Sequence, residues 1–341
     1  MKSKLSEVKT KVVLKNLYSL SKYDLHKSDL DLQEALRQLI VSMDDLQNYC
    51  YQQAQRIDDL QNRLKLEEVL RYYAVHREKA LNYHEELEYL ENSGEIVAFP
   101  YEKQRQMGDV VSGYDLECDM PFVIHAGKRL YFPVGWTESA AIVAYKNYIE
   151  NENLLGGNYR KKSPHQYQTE DFKIESGDVL VDVGCAEGLL SLDVIEKIKK
   201  AYLIESDSKW IPALNKTFEP FKEKVVIVNK YLTDKDTDTM VTLSRVLSDE
   251  KGASFFLKMD IEGYESMVLK SSKRFFMEQQ CKVVCCTYHK AEDEAIVSSF
   301  FENIGYFPTF SDGYVLFLYG DEWRPPYFRR GIVRAKRKCF C

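Results

Sequence analysis

From Leu25 to Leu64 apolar residues recur at alternating spacings of three and four. Leu36, Met43, Cys50, Ile57 and Leu64 take one seam position. Leu25, Leu32, Leu39, Leu46 and Leu60 take the other, and only Asp29 and Gln53 break the run. No proline or glycine interrupts it. A period of 3.5 kept for about five heptads predicts a coiled coil, with Gln53 suited to setting its register. At 1.5 Å per residue the rod is roughly 60 Å long. The alternative is one long helix folded against the rest of the chain. Helical patterning continues from Leu66 to Leu90 and stops at Asn92-Ser-Gly94.

Beyond that point the pattern shortens. Phe122 to His125 and Leu130 to Phe132 predict a hairpin around Gly127, followed by a helix near Ser139 to Glu150 and a loop at Gly156-Gly157. From Phe172 onward strand and helix patterns alternate. Strands are predicted at Val179–Val183, Tyr202–Glu205, Val225–Asn229, Ser254–Met259, Lys282–Thr287 and Tyr314–Tyr319. Helices are predicted at Leu189–Lys199, Trp210–Phe218, Thr239–Ser248, Ser266–Glu278 and Glu292–Asn303. Such alternation predicts an α/β fold with a mostly parallel sheet covered on both faces. The last strand, with no helix before Tyr314, suits an antiparallel closing strand. The chain then divides into a helical, coiled-coil oligomerisation region (1–92), an accessory region with a small hairpin and a helix (93–165), an α/β domain (166–322) and a basic C-terminal tail (323–341).

Within that domain, Val179-Leu-Val-Asp-Val-Gly-Cys-Ala-Glu-Gly188 is a short apolar run that ends in an acid and two glycines. A buried parallel strand reads this way when it runs into a tight turn and a helix. Glu205 closes the next apolar run 23 positions after Asp182, near the spacing at which an acid grips the hydroxyls of an adenosine ribose. The dinucleotide pattern G-x-G-x-x-G and the triphosphate loop G-x-x-x-x-G-K-[ST] are both absent. An acid-x-Gly-x-small-x-Gly turn with an acid after the following strand instead suits S-adenosylmethionine. Asp182, Gly184, Ala186, Gly188, Glu205 and Asn229 are the expected cofactor residues; an ordinary strand-to-helix turn is the plain alternative.

Ligands of such sheets sit outside the carboxyl ends of the strands. Asp182, Glu205, Asn229, Asp260 and His289 all fall at or just beyond predicted strand ends, so they converge on one rim. Methyl transfer from a sulfonium needs in-line alignment and, for a hydroxyl acceptor, a base that is worth about 10²–10⁴ in rate. Asp260 and His289 are the base candidates, and either has the alternative of a structural hydrogen bond at a strand end. Glu262 and Glu265 suit caps on the following helix. Asp260, Glu262 and His289 are acceptable ligands for magnesium or manganese, but no spacing demands a metal and none is expected. Asp234-x-Asp236-x-Asp238 lies in a polar loop and reads as a solvated turn. Tyr159, Tyr167, Tyr288 and Trp210 suit stacking on an adenine or a sugar, with core packing as the default.

Lys258-Met-Asp-Ile-Glu-Gly-Tyr-Glu265, with Asp182 to Gly188 before it and Cys286-Thr-Tyr-His-Lys290 after it, resembles the FkbM family of S-adenosylmethionine-dependent methyltransferases. More narrowly, it is similar to the branch found in bacterial surface-polysaccharide loci. The likeness extends over about residues 95–335, including Lys128 to Pro133, Ser163-Pro-His-Gln-Tyr167 and Pro325 to Gly331. It implies a Rossmann-like methyltransferase fold with a mostly parallel seven-stranded sheet, preceded here by the N-terminal coiled coil. It also implies O-methylation of a hydroxyl, often on a sugar. Ser163 to Tyr167, just before the first strand, is expected to cover the cofactor.

Composition narrows the setting. With 341 residues, 45% of them apolar, the chain buries a full core and has room for more than one domain. A net charge of −6 argues against a general nucleic-acid binder. Seven Lys or Arg and no acid follow from Arg324 onward, a cluster suited to weak attraction to anionic lipid or acidic glycan. Eight cysteines without a C-x-x-C pair argue against a structural zinc and for a reducing cytoplasm. No run approaches 18 apolar residues, and Val12-Val-Leu14 is too short for a signal-peptide core. The expectation is a homo-oligomeric cytoplasmic O-methyltransferase, at most peripheral to the inner face of the membrane, that acts on a sugar of a cell-surface glycan or its precursor. The alternatives are a nonsugar small-molecule or lipid hydroxyl as acceptor, and a coiled-coil scaffold carrying an inactive methyltransferase-like domain.

Overall fold

The structure, a computed structural model, describes residues 29–159, 163–250, 252–318 and 323–337. The expected seam residue Leu25 and tail residues 338–341 lie outside them. The chain forms two compact units that divide between Glu68 and Val69. Helix α1 spans Asp29–Val75 without a break. In the first unit its seam residues Leu36, Met43, Leu60 and Leu64 are exposed, at 44–65%.

The second unit opens with the end of α1, then α2 (Arg77–Ala80) and α3 (His84–Ser93). Gly94 stops α3 in the left-handed region at φ 67°, its N–H bonded to Leu90 O. The helix stop expected at Asn92-Ser-Gly94 is thus present, whereas the compact units divide at Glu68/Val69 rather than at residue 92. Tyr73 packs on the rings of Tyr327 and Phe328, and Tyr83 on Tyr314 and Phe328. Buried Glu86 accepts the Tyr101 hydroxyl. Aromatic contacts with the C-terminal stretch, invisible in local periodicity, assign residues 69–92 to the α/β unit.

The accessory region also joins the main core. An antiparallel sheet of β1 (Ser112–Asp115), β2 (Met120–His125) and β3 (Lys128–Tyr131) contains the expected hairpin. Helix α4 (Glu138–Lys146) starts at Thr137, whose hydroxyl accepts the Ala140 N–H at 3.1 Å. Val123, Leu130, Phe132 and Ala141 pack in one cluster with Leu180, Leu192 and Phe256 of the α/β fold.

That fold runs β4 (Val179–Val183), α5 (Leu189–Val194), β5 (Lys200–Ile204), α6 (Ile211–Phe218), β6 (Val225–Val228), β7 (Tyr231–Leu232), β8 (Met240–Val241), α7 (Leu243–Val246), β9 (Ser254–Met259), α8 (Glu265–Ser271), α9 (Lys273–Glu278), β10 (Gln280–Cys286), α10 (Asp293–Asn303), β11 (Tyr306–Phe310), β12 (Val315–Leu316), β13 (Phe328–Arg329) and β14 (Ile332–Arg337). The seven-stranded sheet has the order β11-β14-β10-β9-β4-β5-β6. Only β14 runs antiparallel to its neighbours, between β10 and β11. This is the Rossmann-like methyltransferase fold, as expected. Both faces are covered: Val181, Leu257 and Val283 point into one core cluster, and Leu180, Phe256 and Val284 into the other.

Three expectations change. The antiparallel strand is β14, not Tyr314–Tyr319, and Tyr306–Phe310 is the edge strand. The expected helix at Thr239–Ser248 is a two-residue strand followed by one turn of helix, started by the Thr242 hydroxyl. The basic tail is no free tail. Arg329 and Arg334 are buried, and Arg330, Lys336 and Arg337 bond to the carbonyls of Ser311, Asp171 and Phe276. A strand with alternating cations passes for a solvated tail because a central sheet position is a property of the partners, not of the segment.

Candidate active site

The carboxyl ends of β4, β5 and β9 open on a cavity of about 680 Å³, lined among others by Gly184, Ala186, Glu205, Trp210, Asp260 and Glu262. Gly184 stands at φ 70°, and a Cβ there would lie 1.9 Å from the Asp260 carbonyl oxygen. Only glycine lets the turns after β4 and β9 touch. The Glu205 carboxylate accepts the N–H of Ala186 at 2.9 Å and of Asp207 at 2.8 Å, one on each oxygen. An ionised carboxylate has about four acceptor positions, so each oxygen keeps one for a ligand hydroxyl. An adenosine-type cofactor fits this cradle: a glycine turn, an acid with spare acceptors, and the indole of Trp210.

The other expected cofactor residues act behind the cavity wall. Asn229 is exposed and donates its amide to the carbonyls of Glu205 and Ser206 at 2.8 and 3.2 Å, so it fixes the loop rather than lining the cavity. Gly188 starts α5 at φ 78°, where a Cβ would meet the Phe218 ring at 2.9 Å. Asp182 is buried. It accepts the Ser191 hydroxyl at 2.7 Å and faces Lys258 Nζ at 3.2 Å.

Lys258, which the sequence motif contains without marking a role for it, belongs to the site. Its Nζ donates to the Gly184 carbonyl at 2.7 Å and sits over the Tyr167 ring at 5.3 Å. Burial opposes its charge, but Asp182 and Asp260 overcome that and hold the ammonium firmly protonated. The signal was present. A lysine inside an apolar strand must find an anion, and period 2 puts it on the same face as Asp260.

Asp260 is the hub. Its carboxylate accepts the hydroxyls of Tyr167 at 3.2 Å and Tyr288 at 3.1 Å. It lies 3.5 Å from His165 Nε2 and 3.4 Å from His289 Nε2. Burial alone would raise its pKa, but the His165 contact and the Lys258 charge hold it well below the usual carboxylate range. His165 and Tyr167 come from the Ser163 to Tyr167 segment, which backs Asp260 rather than appearing in the cavity lining. His289 was expected as a base. Burial lowers its pKa, but Glu265, Asp260 and Glu262 together raise it. His165, flanked by Asp260 and Glu152, is pushed up to about 9 in the same way. A protonated imidazole has no lone pair for a hydroxyl proton, so His165 is not a ready base, and Asp260 stands on the cavity wall beside Glu205, Asp207 and Glu262. Glu187, in the glycine turn, is a further missed group: burial raises its carboxyl to about 8.

Residues 189–315 match the family model described as the methyltransferase FkbM domain. The match takes in Glu205, Lys258, Asp260 and His289 and is narrower than the 95–335 span of the sequence likeness. No curated protein matches the chain. Among solved structures, the FkbM methyltransferase of Methylobacillus flagellatus KT is 16% identical with a TM-score of 0.38, covering 48% of this chain and 44% of its own. Precorrin-6y C5,15-methyltransferase of Geobacter metallireducens GS-15 is 14% identical with a TM-score of 0.34, covering 49% and 83%. The M. capricolum TrmK structure, solved with S-adenosyl-homocysteine, is 11% identical with a TM-score of 0.33, covering 48% and 64%. The chain thus spans less than half the length of the first of these. The fold assignment rests on the strand order given above. Among the described residues, no helix is long and apolar enough to cross a membrane.

Proposed function

We propose that this protein is an S-adenosylmethionine-dependent O-methyltransferase that acts on a hydroxyl of a sugar in a cell-surface glycan or its precursor. The observation that carries the reading is the anionic Asp260 carboxylate on the wall of the same cavity as the Gly184 turn and Glu205. The donor supplies a methyl group on a cationic sulfur; its transfer breaks the S–CH3 bond, whose electron pair stays on sulfur, forms an O–CH3 bond from an oxygen lone pair, and passes the hydroxyl proton through Asp260 to solvent. Glu205 and the Gly184 turn bind and orient the donor. Asp260 accepts the acceptor hydroxyl as a hydrogen bond and aims its lone pair, while Lys258, His165 and the two tyrosines hold the carboxylate in place. Such alignment is worth up to about 7–11 kcal/mol. The sugar and the surface-polysaccharide setting rest on the sequence resemblance.

We also infer a homo-oligomer through α1, supported by the heptad and by the exposure of four of its apolar seam residues. The test of function is formation of S-adenosylhomocysteine and of a methylated sugar from a panel of free, nucleotide-linked and polymeric glycans. Asp260→Asn should keep cofactor affinity and lose turnover. An Asp260→Asn variant as active as the parent removes Asp260 from the chemistry; no product from any hydroxyl acceptor removes the reaction.

A further inference from the structure

Behind the cavity wall the structure gathers more anions around His289 than an imidazole needs. Its Nδ1 lies 3.2 Å from Glu265 Oε1, and its Nε2 lies 3.4 Å from Asp260 Oδ1 and 3.7 Å from Glu262 Oε2. The ring is 6% exposed, yet neither nitrogen has a hydrogen bond of acceptable geometry. Glu265 is fully buried, and its Oε2 has no hydrogen-bond partner. A buried ring nitrogen without a hydrogen bond is costly; the Glu265 carboxylate stands ready for Nδ1, so Nε2, which faces two further carboxylates, calls for an occupant. Asp260, Glu265 and His289 place one donor atom each within 4.8 Å of one another.

We propose that Asp260, Glu262 and the Nε2 of His289 form a binding site for a divalent cation of the manganese class, with Glu265 accepting the Nδ1–H of the ring from behind. Carboxylates with one imidazole suit manganese better than the all-oxygen cages of calcium or the water-rich shell of magnesium. Asp260 and Glu262 reach the cavity, whereas Glu265 and His289 anchor the cluster from behind. A cation there is open to a hydroxyl oxygen of the acceptor. By Lewis-acid polarisation it would make that hydroxyl more acidic. This role rests on the proposed methyl transfer to a hydroxyl; the cation site itself does not.

The test uses the full-length protein, stripped with a chelator and titrated with Mn²⁺ while the electron paramagnetic resonance signal of the free ion is read. One saturable site per chain is expected, weakened at least tenfold by Glu262→Gln and by His289→Gln. The Glu262 side chain is 90% exposed, so that variant leaves the fold intact and separates ligand loss from unfolding. Absence of saturable binding in the parent protein, or equal binding in both variants, overturns the proposal. S-adenosylmethionine calorimetry on the same samples keeps the readings apart: Mn²⁺ binding without cofactor binding would sink the methyltransferase reading and leave the cation site standing.

Discussion

Lys258 and Asp182 are direct partners across the adjacent parallel strands β9 and β4, with Nζ 3.2 Å from Oδ1 and both side chains almost fully buried. The same ammonium holds the Gly184 carbonyl, so one buried charge sets both the ion pair and the cofactor turn. Lys258→Met leaves Asp182 without its counter-charge, and breaking a buried pair from one side costs about 3–5 kcal/mol. Denaturant titration should show a loss of that size, partly recovered in Lys258→Met with Asp182→Asn. A loss below about 1 kcal/mol would mean that the pair is solvated.

Glu205 carries two tasks. Glu205→Ala removes the proposed ribose acceptor and should weaken S-adenosylmethionine binding by about 1.5–3 kcal/mol, the usual worth of a hydrogen bond to a charged group. The Ala186 and Asp207 N–H groups lose their acceptor as well, so the melting temperature should fall too. Calorimetric titration decides the first point; unchanged affinity in the variant would remove Glu205 from the cofactor site.

Glu187 gives a pH dependence. Burial raises its carboxyl in the folded state from 4.5 to about 8, so its contribution is fully present below pH 4.5 and is lost as the pH rises towards 8. Glu187→Gln keeps a neutral side chain of the same shape and should flatten that slope. Thermal melts of the two proteins from pH 5 to pH 8 check it, and parallel curves would show that Glu187 ionises freely in the fold.

The α1 seam separates oligomer from monomer. Leu60 and Leu64 are 52% and 65% exposed in the single chain. In a monomer, Leu60→Glu with Leu64→Glu should therefore be nearly neutral. In a coiled coil the same charges are desolvated by the partner helix, and light scattering should show dissociation with the α/β unit still folded. A parent protein that is monomeric at micromolar concentration would end the oligomer proposal.

The sequence by itself determined the features with a local cause. The apolar runs and glycine turns announced β4, β5, β9 and β10, because a strand buried on both faces must be apolar along its length. Glu205 and Asp260 were legible as rim acids because strand ends and the switch into a helix are marked by composition. The heptad was legible by its period, and from Asp29 onward it lies on one continuous helix. Tertiary structure decided what depends on partners. Arg334 and Lys336 belong to a central strand because β10 and β11 flank them, and no local signal distinguishes that strand from a basic tail. The contacts of Gly188 with the Phe218 ring and of Asn229 with the Glu205 carbonyl depend on where those partners lie. The upward pull on the His289 pKa comes from Glu265, Asp260 and Glu262 converging on it against burial, since a pKa follows from nearby charge and burial, which come from distant residues only once the chain has folded.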